Sequence, residues 1–279
     1  MRRFRNRISR SLIIGSGLLA IPILTAIFAP FISPHSPTYL DLTQILEPPG
    51  APGHLLGTDS IGRDLLSRII FGSQISLLVA GLGMLGALVV GVAVGSLAAF
   101  SGRFGDLVVM RFVDVQLAFP YILLAIAITS AVRPTVGLVI GLLVLAGWAG
   151  FARVVRSAAL QEISRDYVKA ATLLGASRTR IAWKYVFPNL LPPIMVLAAM
   201  LMAAMVLIEA TLAFLGMGVP PPAPSWGTII LDARNYLGSA WWLTVLPGLG
   251  ILLTAVALNL IADGLQTLFG TRIERDAVG

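Results

Sequence analysis

Few side chains in this chain could take part in covalent or acid–base chemistry, and those few are dispersed. There is no cysteine, which excludes thiolate catalysis, disulfides and Cys-ligated zinc or iron–sulfur centres. His35 and His54 are the only histidines, and both fall outside the apolar segments, which argues against a His-rich metal site or a haem. The only lysines, Lys169 and Lys184, follow Val168 and Trp183. A P-loop requires Gly-Lys-Ser/Thr after a glycine-rich turn, because backbone N–H groups cradle the phosphates while the lysine reaches them. No such loop exists here. Glu209 is the sharpest single candidate, because it interrupts an apolar run where an ionisable group is costly and rarely without a role. It could line a translocation path and attract a cationic group, or accept hydrogen bonds from a neighbouring helix. Asp114, by contrast, can pair with Arg111 one helical turn away, and Asp263 falls near the end of its apolar run, at the membrane interface.

The other informative feature is a polar island, Asp166-Tyr-Val-Lys-Ala-Ala-Thr-Leu-Leu-Gly-Ala-Ser-Arg-Thr-Arg-Ile-Ala-Trp-Lys-Tyr-Val-Phe-Pro-Asn189. Nothing in it is a catalytic constellation. Tyr167, Val168, Ala170, Ala171 and Leu174 make an apolar helix face, Gly175 is suited to the left-handed C′ stop, and Ser177 can cap a second helix that Pro188 ends. Small residues at Ala170, Ala171 and Gly175 would admit another surface close to the backbone, as a helix seated in a groove requires. An ordinary amphipathic interfacial loop is the plainer reading of the same residues.

The elements that must position these groups belong to a membrane. The 279 residues are 57% hydrophobic and 12% charged, with a mean hydropathy of +0.90. Soluble domains are about 45–50% apolar and about 25% charged. Six segments are long enough to span, at about 20 residues each: Ser11–Ile32, Gln74–Phe100, Gly105–Ala131, Thr135–Phe151, Leu191–Met217 and Trp241–Phe269. The first reads as a retained anchor behind a basic tail (Arg2, Arg3, Arg5, Arg7, Arg10), with Pro22 able to kink it. Six crossings with a cytoplasmic N-terminus leave only Arg63, Arg68, Arg133 and Arg234, of 20 basic residues, on the outer side. The net charge of +7 is thus explained by the positive-inside rule, and no nucleic-acid partner is expected. Between the first two spans, Arg63–Gly72 predicts an in-plane helix with Leu65, Leu66, Ile69 and Ile70 on one face, capped by Thr58, Asp59 or Ser60. Gly91 with Gly95, and Gly137 with Gly141, predict close helix packing. Trp241 and Trp242 suit an outer aromatic belt, whereas Trp226 in its proline-rich loop has no assigned role.

The polar island resembles the EAA motif of ABC-importer permeases: Ala170, Ala171, Gly175 and Pro188 stand at its spacing, while Lys169, Tyr185 and Phe187 replace its glutamate, isoleucine and leucine. Leu56-Gly-Thr-Asp-Ser-Ile-Gly-Arg-Asp-Leu-Leu-Ser-Arg68, Pro224-Ser-Trp-Gly-Thr228 and Trp242-Leu-Thr-Val-Leu-Pro-Gly248 resemble the dipeptide/oligopeptide/nickel subfamily, in particular its C-type subunit. That resemblance runs from about Ser11 to Gly270. It implies an all-α, polytopic type I importer permease fold with a cytoplasmic coupling helix. It also implies a second (B-type) permease, two cytoplasmic ATPases carrying ATP and Mg²⁺, and an extracytoplasmic solute-binding protein. This chain itself would bind no cofactor or metal. In that frame Ala170, Ala171, Gly175 and Pro188 form the coupling surface, Glu209 is a candidate for the path, and the 218–240 loop is a candidate contact for the binding protein. The solute would be a short peptide or, alternatively, nickel, in a bacterial or archaeal cytoplasmic membrane with both termini inside.

The expected organisation is residues 1–73 (tail, first span and outer loop), 74–270 (permease core with the 164–190 coupling loop) and 271–279 (C-tail). A stand-alone secondary transporter is the alternative of a different class, but it would favour internal repeats around midplane charges, and none is evident. An enzyme is disfavoured by the lack of any acid–base or nucleophile cluster.

Overall fold

Helices account for the regular structure that the computed structural model gives residues 9–276, apart from isolated bridges of Ala51 with His54 and Thr58 with Asp64. Side chains are described for residues 9–270, so Arg2, Arg3, Arg5, Arg7, Arg272 and Arg275 of the charge argument lie outside them. The helices are α1 (Arg10–Ile27), α2 (Ala29–Ile32), α3 (Leu65–Phe100), α4 (Gly102–Ala118), α5 (Tyr121–Ala131), α6 (Val136–Ile163), α7 (Asp166–Leu173), α8 (Arg178–Arg180), α9 (Phe187–Phe214), α10 (Trp226–Ala233) and α11 (Trp242–Asp276). A π-helical stretch, Ile181–Val186, joins α8 to α9 without a break. Helix is the expected solution in lipid, where every backbone polar group must find its partner within the protein.

Five helices are long and apolar enough to span a membrane, and α4 with α5 forms a sixth candidate bent by 82°. Helix direction settles the count. A Cβ at Gly83 would meet Leu143, one at Gly91 would overlap Phe151 and the Trp148 carbonyl, and one at Gly95 would lie 2.5 Å from the Ala152 carbonyl. Contact positions thus climb together along α3 and α6, so the two helices are parallel. The chain between them must return across the bundle, and α4 does so antiparallel to α6: Asp106 pairs with Arg156, Asp114 with Arg153, and Gln116 Nε2 donates to the Leu145 carbonyl. The bend falls at Phe119–Pro120, where extended backbone and the missing proline amide interrupt the helix. Six crossings result. The Asp114 partner is therefore Arg153 on a neighbouring helix, at 3.0 Å, and not Arg111.

α1 lies antiparallel against α11, with Gly15 against the Ala257 carbonyl and Gly264 against Leu12. The start of α1 and the end of α11 thus share one end of the bundle with α7, and α10 marks the other. The predicted in-plane helix does not exist. Asp64, not Thr58, Asp59 or Ser60, caps α3, accepting the Ser67 N–H at 2.8 Å, and the helix runs unbroken for 36 residues. Its length of about 54 Å exceeds the roughly 30 Å hydrocarbon core, so its first turns project beyond the apolar layer. The expected boundary at 73/74 falls inside α3, and that at 270/271 inside α11. The glycine pairs divide: Gly91 and Gly95 pack tightly as expected, but Gly137 and Gly141 are exposed with nothing within 4 Å of an added Cβ.

Candidate functional site

At the α7 end, Val168 and Ala171 are buried, and Val168 packs into the core that holds Ile181, Val186 and Leu190. Backbone bonds then stop the helix. Ala176 N–H reaches the Ala171 carbonyl and Gly175 N–H the Thr172 carbonyl, both at 3.0 Å, with Gly175 at φ +84°. This is the Schellman arrangement, in which a left-handed residue costs glycine least. Ser177 caps the next turn by accepting the Arg180 N–H. The stop leaves Leu173 and Leu174 at the tip, each 89% exposed, beside exposed Ala170 and Gly175.

A polar clasp holds this tip between two spans. The Tyr167 hydroxyl donates to Glu162 at the end of α6 and accepts from Asn189 Nδ2 at 3.0 Å, while the same amide donates to the Tyr185 carbonyl at 2.7 Å. Burial, followed by the bond to Glu162, pushes the Tyr167 phenol up to about 12, so it stays a donor at any physiological pH. Lys169 pairs with Asp166 at 3.1 Å, but both are exposed.

Of the sequence-predicted residues, Ala170 and Gly175 lie on the exposed tip, and Ala171 points into the core. Leu174 belongs outside, not on the apolar inward face. Pro188 does not end a helix: it sits in the first turn of α9, directly after the π-helical stretch. There the wider turn, with Phe187 N–H reaching the Ala182 carbonyl, shifts the hydrogen-bond register just before the residue that lacks a donor. The sequence reading missed Leu173 and Leu174 as surface. The available signal was two consecutive leucines before a Gly stop, which a single helix face cannot bury together.

At the α10 end the polar groups are inside. Asp59, 2% exposed, receives Arg63 Nε at 2.6 Å and Arg68 Nη1 at 2.5 Å, and Asp232 receives both arginines at 2.9 Å. The backbone N–H groups of Ile61 and Arg63 also bind Asp59. Gly62, at φ +75°, lets this turn press against the Asp41 carbonyl, which an added Cβ would overlap. The Leu56–Arg68 signature is therefore a folded ionic knot. A cleft of about 370 Å³ opens beside it, lined by Arg63, Arg68, Arg133, Asp232 and the Pro220–Pro222 run.

Glu209 is fully buried and accepts a hydrogen bond from Ser76 Oγ of α3 at 3.1 Å; Ser76 in turn accepts the Trp226 N–H. The hydrogen bond that Glu209 was expected to accept from a neighbouring helix is present, donated by Ser76 of α3. Trp226 is a core anchor, 2% exposed, with its indole N–H on the Ile69 carbonyl and its ring between Gly72 and Gly250. Ser225 and Thr228 cap α10 reciprocally. Trp241 is exposed as a belt residue would be, but Trp242 is buried with Leu65, Ile229 and Leu243 and corrects the belt expectation.

Residues 91–275 match the family described as binding-protein-dependent transport system inner membrane component, and residues 1–49 the N-terminal TM domain of oligopeptide transport permease C. A relative from Brucella abortus is 42% identical over 267 residues, spanning 96% of this chain and 90% of the relative. The di/tripeptide transport system permease protein DppC of Pseudomonas aeruginosa is 38% identical (94% and 88% covered), and the dipeptide transport system permease protein DppC of Escherichia coli is 38% identical (96% and 91%). A chain of the MetNI methionine ABC transporter, solved inward-facing, shares the fold with a TM-score of 0.62 at 18% identity, covering 73% of this chain and 97% of that one.

Proposed function

The chain belongs to the family of binding-protein-dependent transport system inner membrane components, and we propose that it is the C-type permease of an importer of di- and oligopeptides. It is a multi-pass ABC-transporter permease. The relatives named for di- and tripeptide transport support the solute class over nickel. A B-type permease would complete the pathway, two ATPases would supply ATP and Mg²⁺, and a solute-binding protein would deliver the peptide. Both termini would face the cytoplasm, since the α7 end carries Arg103, Arg165, Lys169, Arg178, Arg180 and Lys184.

The observation that carries the coupling assignment is the α7 tip: two leucines that nothing among the described residues covers, held between α6 and α9 by backbone caps and the Tyr167 clasp. An apolar knob on short, braced helices is what a groove on an ATPase would grip. Ala170 and Gly175 contribute the close approach, Ala171 seats the helix from inside, and Pro188 enters α9 beyond the π turn. ATP binding moves such a machine only insofar as it favours one global state, so the knob must stay seated in both.

Replacing Gly175 with Trp tests this. No atom lies within 4 Å of a Cβ there, so the cost to the fold is the left-handed strain, about 1–2 kcal/mol. The expected result is a membrane-inserted chain that loses the ATPase subunits or hydrolyses ATP without peptide uptake. Normal assembly and normal uptake of labelled dipeptide together would refute the coupling surface.

A further inference from the structure

His35, His54 and Asp64 come from three separate places: the strap after α2, the loop before α3 and the cap of α3. Their ligand atoms nevertheless lie within 4.8 Å of one another. His54 Nδ1 is 2.8 Å from Asp64 Oδ1, His35 Nδ1 is 3.9 Å from the same oxygen, and the imidazole centroids are 5.0 Å apart. Two ring nitrogens thus converge on one carboxylate oxygen. The His54–Asp64 hydrogen bond accounts for one of them. It leaves the other unexplained, because His35 Nδ1 is buried without a hydrogen-bond partner, a state polar groups rarely keep.

The surroundings have the features of a built ligand site. Asp64 Oδ2 is occupied by the Ser67 N–H at 2.8 Å and the Ser67 hydroxyl at 2.6 Å, so Oδ1 is the oxygen left to face the imidazoles. Ser67 Oγ also accepts the His35 backbone N–H at 3.1 Å, and the His54 backbone N–H donates to the Ala51 carbonyl. These bonds fix the backbones of the two histidines and the carboxylate of Asp64. Asp64 is 1% exposed, His54 9% and His35 36% at the side chain, which leaves one open approach past His35.

We propose that His35, His54 and Asp64 bind a divalent transition-metal ion of the zinc class, which pins the strap after α2 to the first turn of α3. Two imidazoles and one carboxylate suit Zn²⁺, Co²⁺ or Cu²⁺, whereas Ca²⁺ and Mg²⁺ take oxygen ligands. Bonds of about 2.0–2.2 Å in tetrahedral geometry set ligand atoms roughly 3.4 Å apart. The 2.8 Å His54–Asp64 pair must therefore open slightly while the half-exposed His35 closes in from 3.9 Å. Three protein ligands leave a fourth position for water.

The test uses the full-length chain, without a histidine tag, in detergent with whatever subunits co-purify, stripped by chelator. Zn²⁺ is titrated by calorimetry, and Co²⁺ by its visible spectrum. The expected result is one saturable Zn²⁺ per chain, a higher melting temperature with Zn²⁺, and a Co²⁺ spectrum of low coordination number with nitrogen ligands. His35→Ala and His54→Ala should each weaken binding by roughly tenfold or more, and remove the zinc-dependent stabilisation. Should His54→Ala not fold, His35→Ala, which removes a half-exposed ring, and the wild-type Co²⁺ spectrum still decide. Absence of a saturable equivalent, or equal affinity in wild type and His35→Ala, would overturn the site. Neither reading depends on transport, so a failure here leaves the importer assignment untouched.

Discussion

The two ends of this bundle treat polar and apolar groups in opposite ways. At the α7 end, leucines point outward and the charges on α7 itself, Lys169 and Asp166, are solvated. At the α10 end, Asp59 and Arg68 are buried, and tryptophans fill the spaces between helices. The α7 end is braced by backbone caps and a phenol, leaving Leu173 and Leu174 exposed. The α10 end spends its polar groups internally, tying the loop before α3 to α10 and α3 to α9. A short helix can be held largely by its backbone caps, whereas a loop with little helix is held only by its side chains.

The contrast breaks most readily at Asp59. Its replacement by Ala leaves Arg68 buried with only the half-exposed Asp232, and should cost about 3–5 kcal/mol. The chain should then fail to accumulate in membranes, or melt far lower in detergent. An unchanged melting temperature would mean that the knot adds nothing to stability. Next in size, Leu173→Ser with Leu174→Ser should weaken ATPase association by roughly 30-fold or more, about 2 kcal/mol, measured by co-purification and coupled uptake. The fold should change by no more than about 0.5 kcal/mol, because both side chains already face solvent. Equal loss of stability and association would erase the distinction between the two ends.

Ser76→Ala sharpens the comparison from the other side. It removes the donor to Glu209 and the acceptor for the Trp226 N–H together, at a cost of about 1–3 kcal/mol, read as a lower thermal midpoint. Tyr167→Phe should cost about 1 kcal/mol and loosen α7, reducing the uptake obtained per ATP hydrolysed without dissociating the complex. Lys169→Ala should be the smallest effect, with no measurable shift in melting, since the pair it breaks is solvated on both sides.

Much of the architecture was legible because apolar length and charge placement are one-dimensional. The spans, the absence of a P-loop, the Gly175 stop and the Ser177 cap all follow from residue type and short spacing. Errors arose where a local pattern had several solutions. The apolar face of Arg63–Gly72 suited an interfacial helix as well as the first turns of α3, and the unbroken continuation of α3 past Gly72 decided between them. Pro188 read as a terminator because a π turn before it leaves no signature in residue type. Trp242 and Trp241 are adjacent and chemically identical, yet opposite in burial, a matter of helix phase against α3 and α10.

The sequence by itself determined a multi-spanning helical chain whose residues include no phosphate loop, since hydropathy, charge bias and short motifs act along the chain. Tertiary structure alone decided that Asp114 pairs with Arg153, that Glu209 turns to Ser76, that Asp59 gathers two arginines, and that His35 and His54 share one carboxylate. Those partners come from different elements or distant turns, and a one-dimensional pattern holds no record of which helix faces will meet. The α7 tip stands between the two cases. Its helix and its stop are local, but that Leu173 and Leu174 face outward depends on Val168 and Ala171 having taken the only inward face.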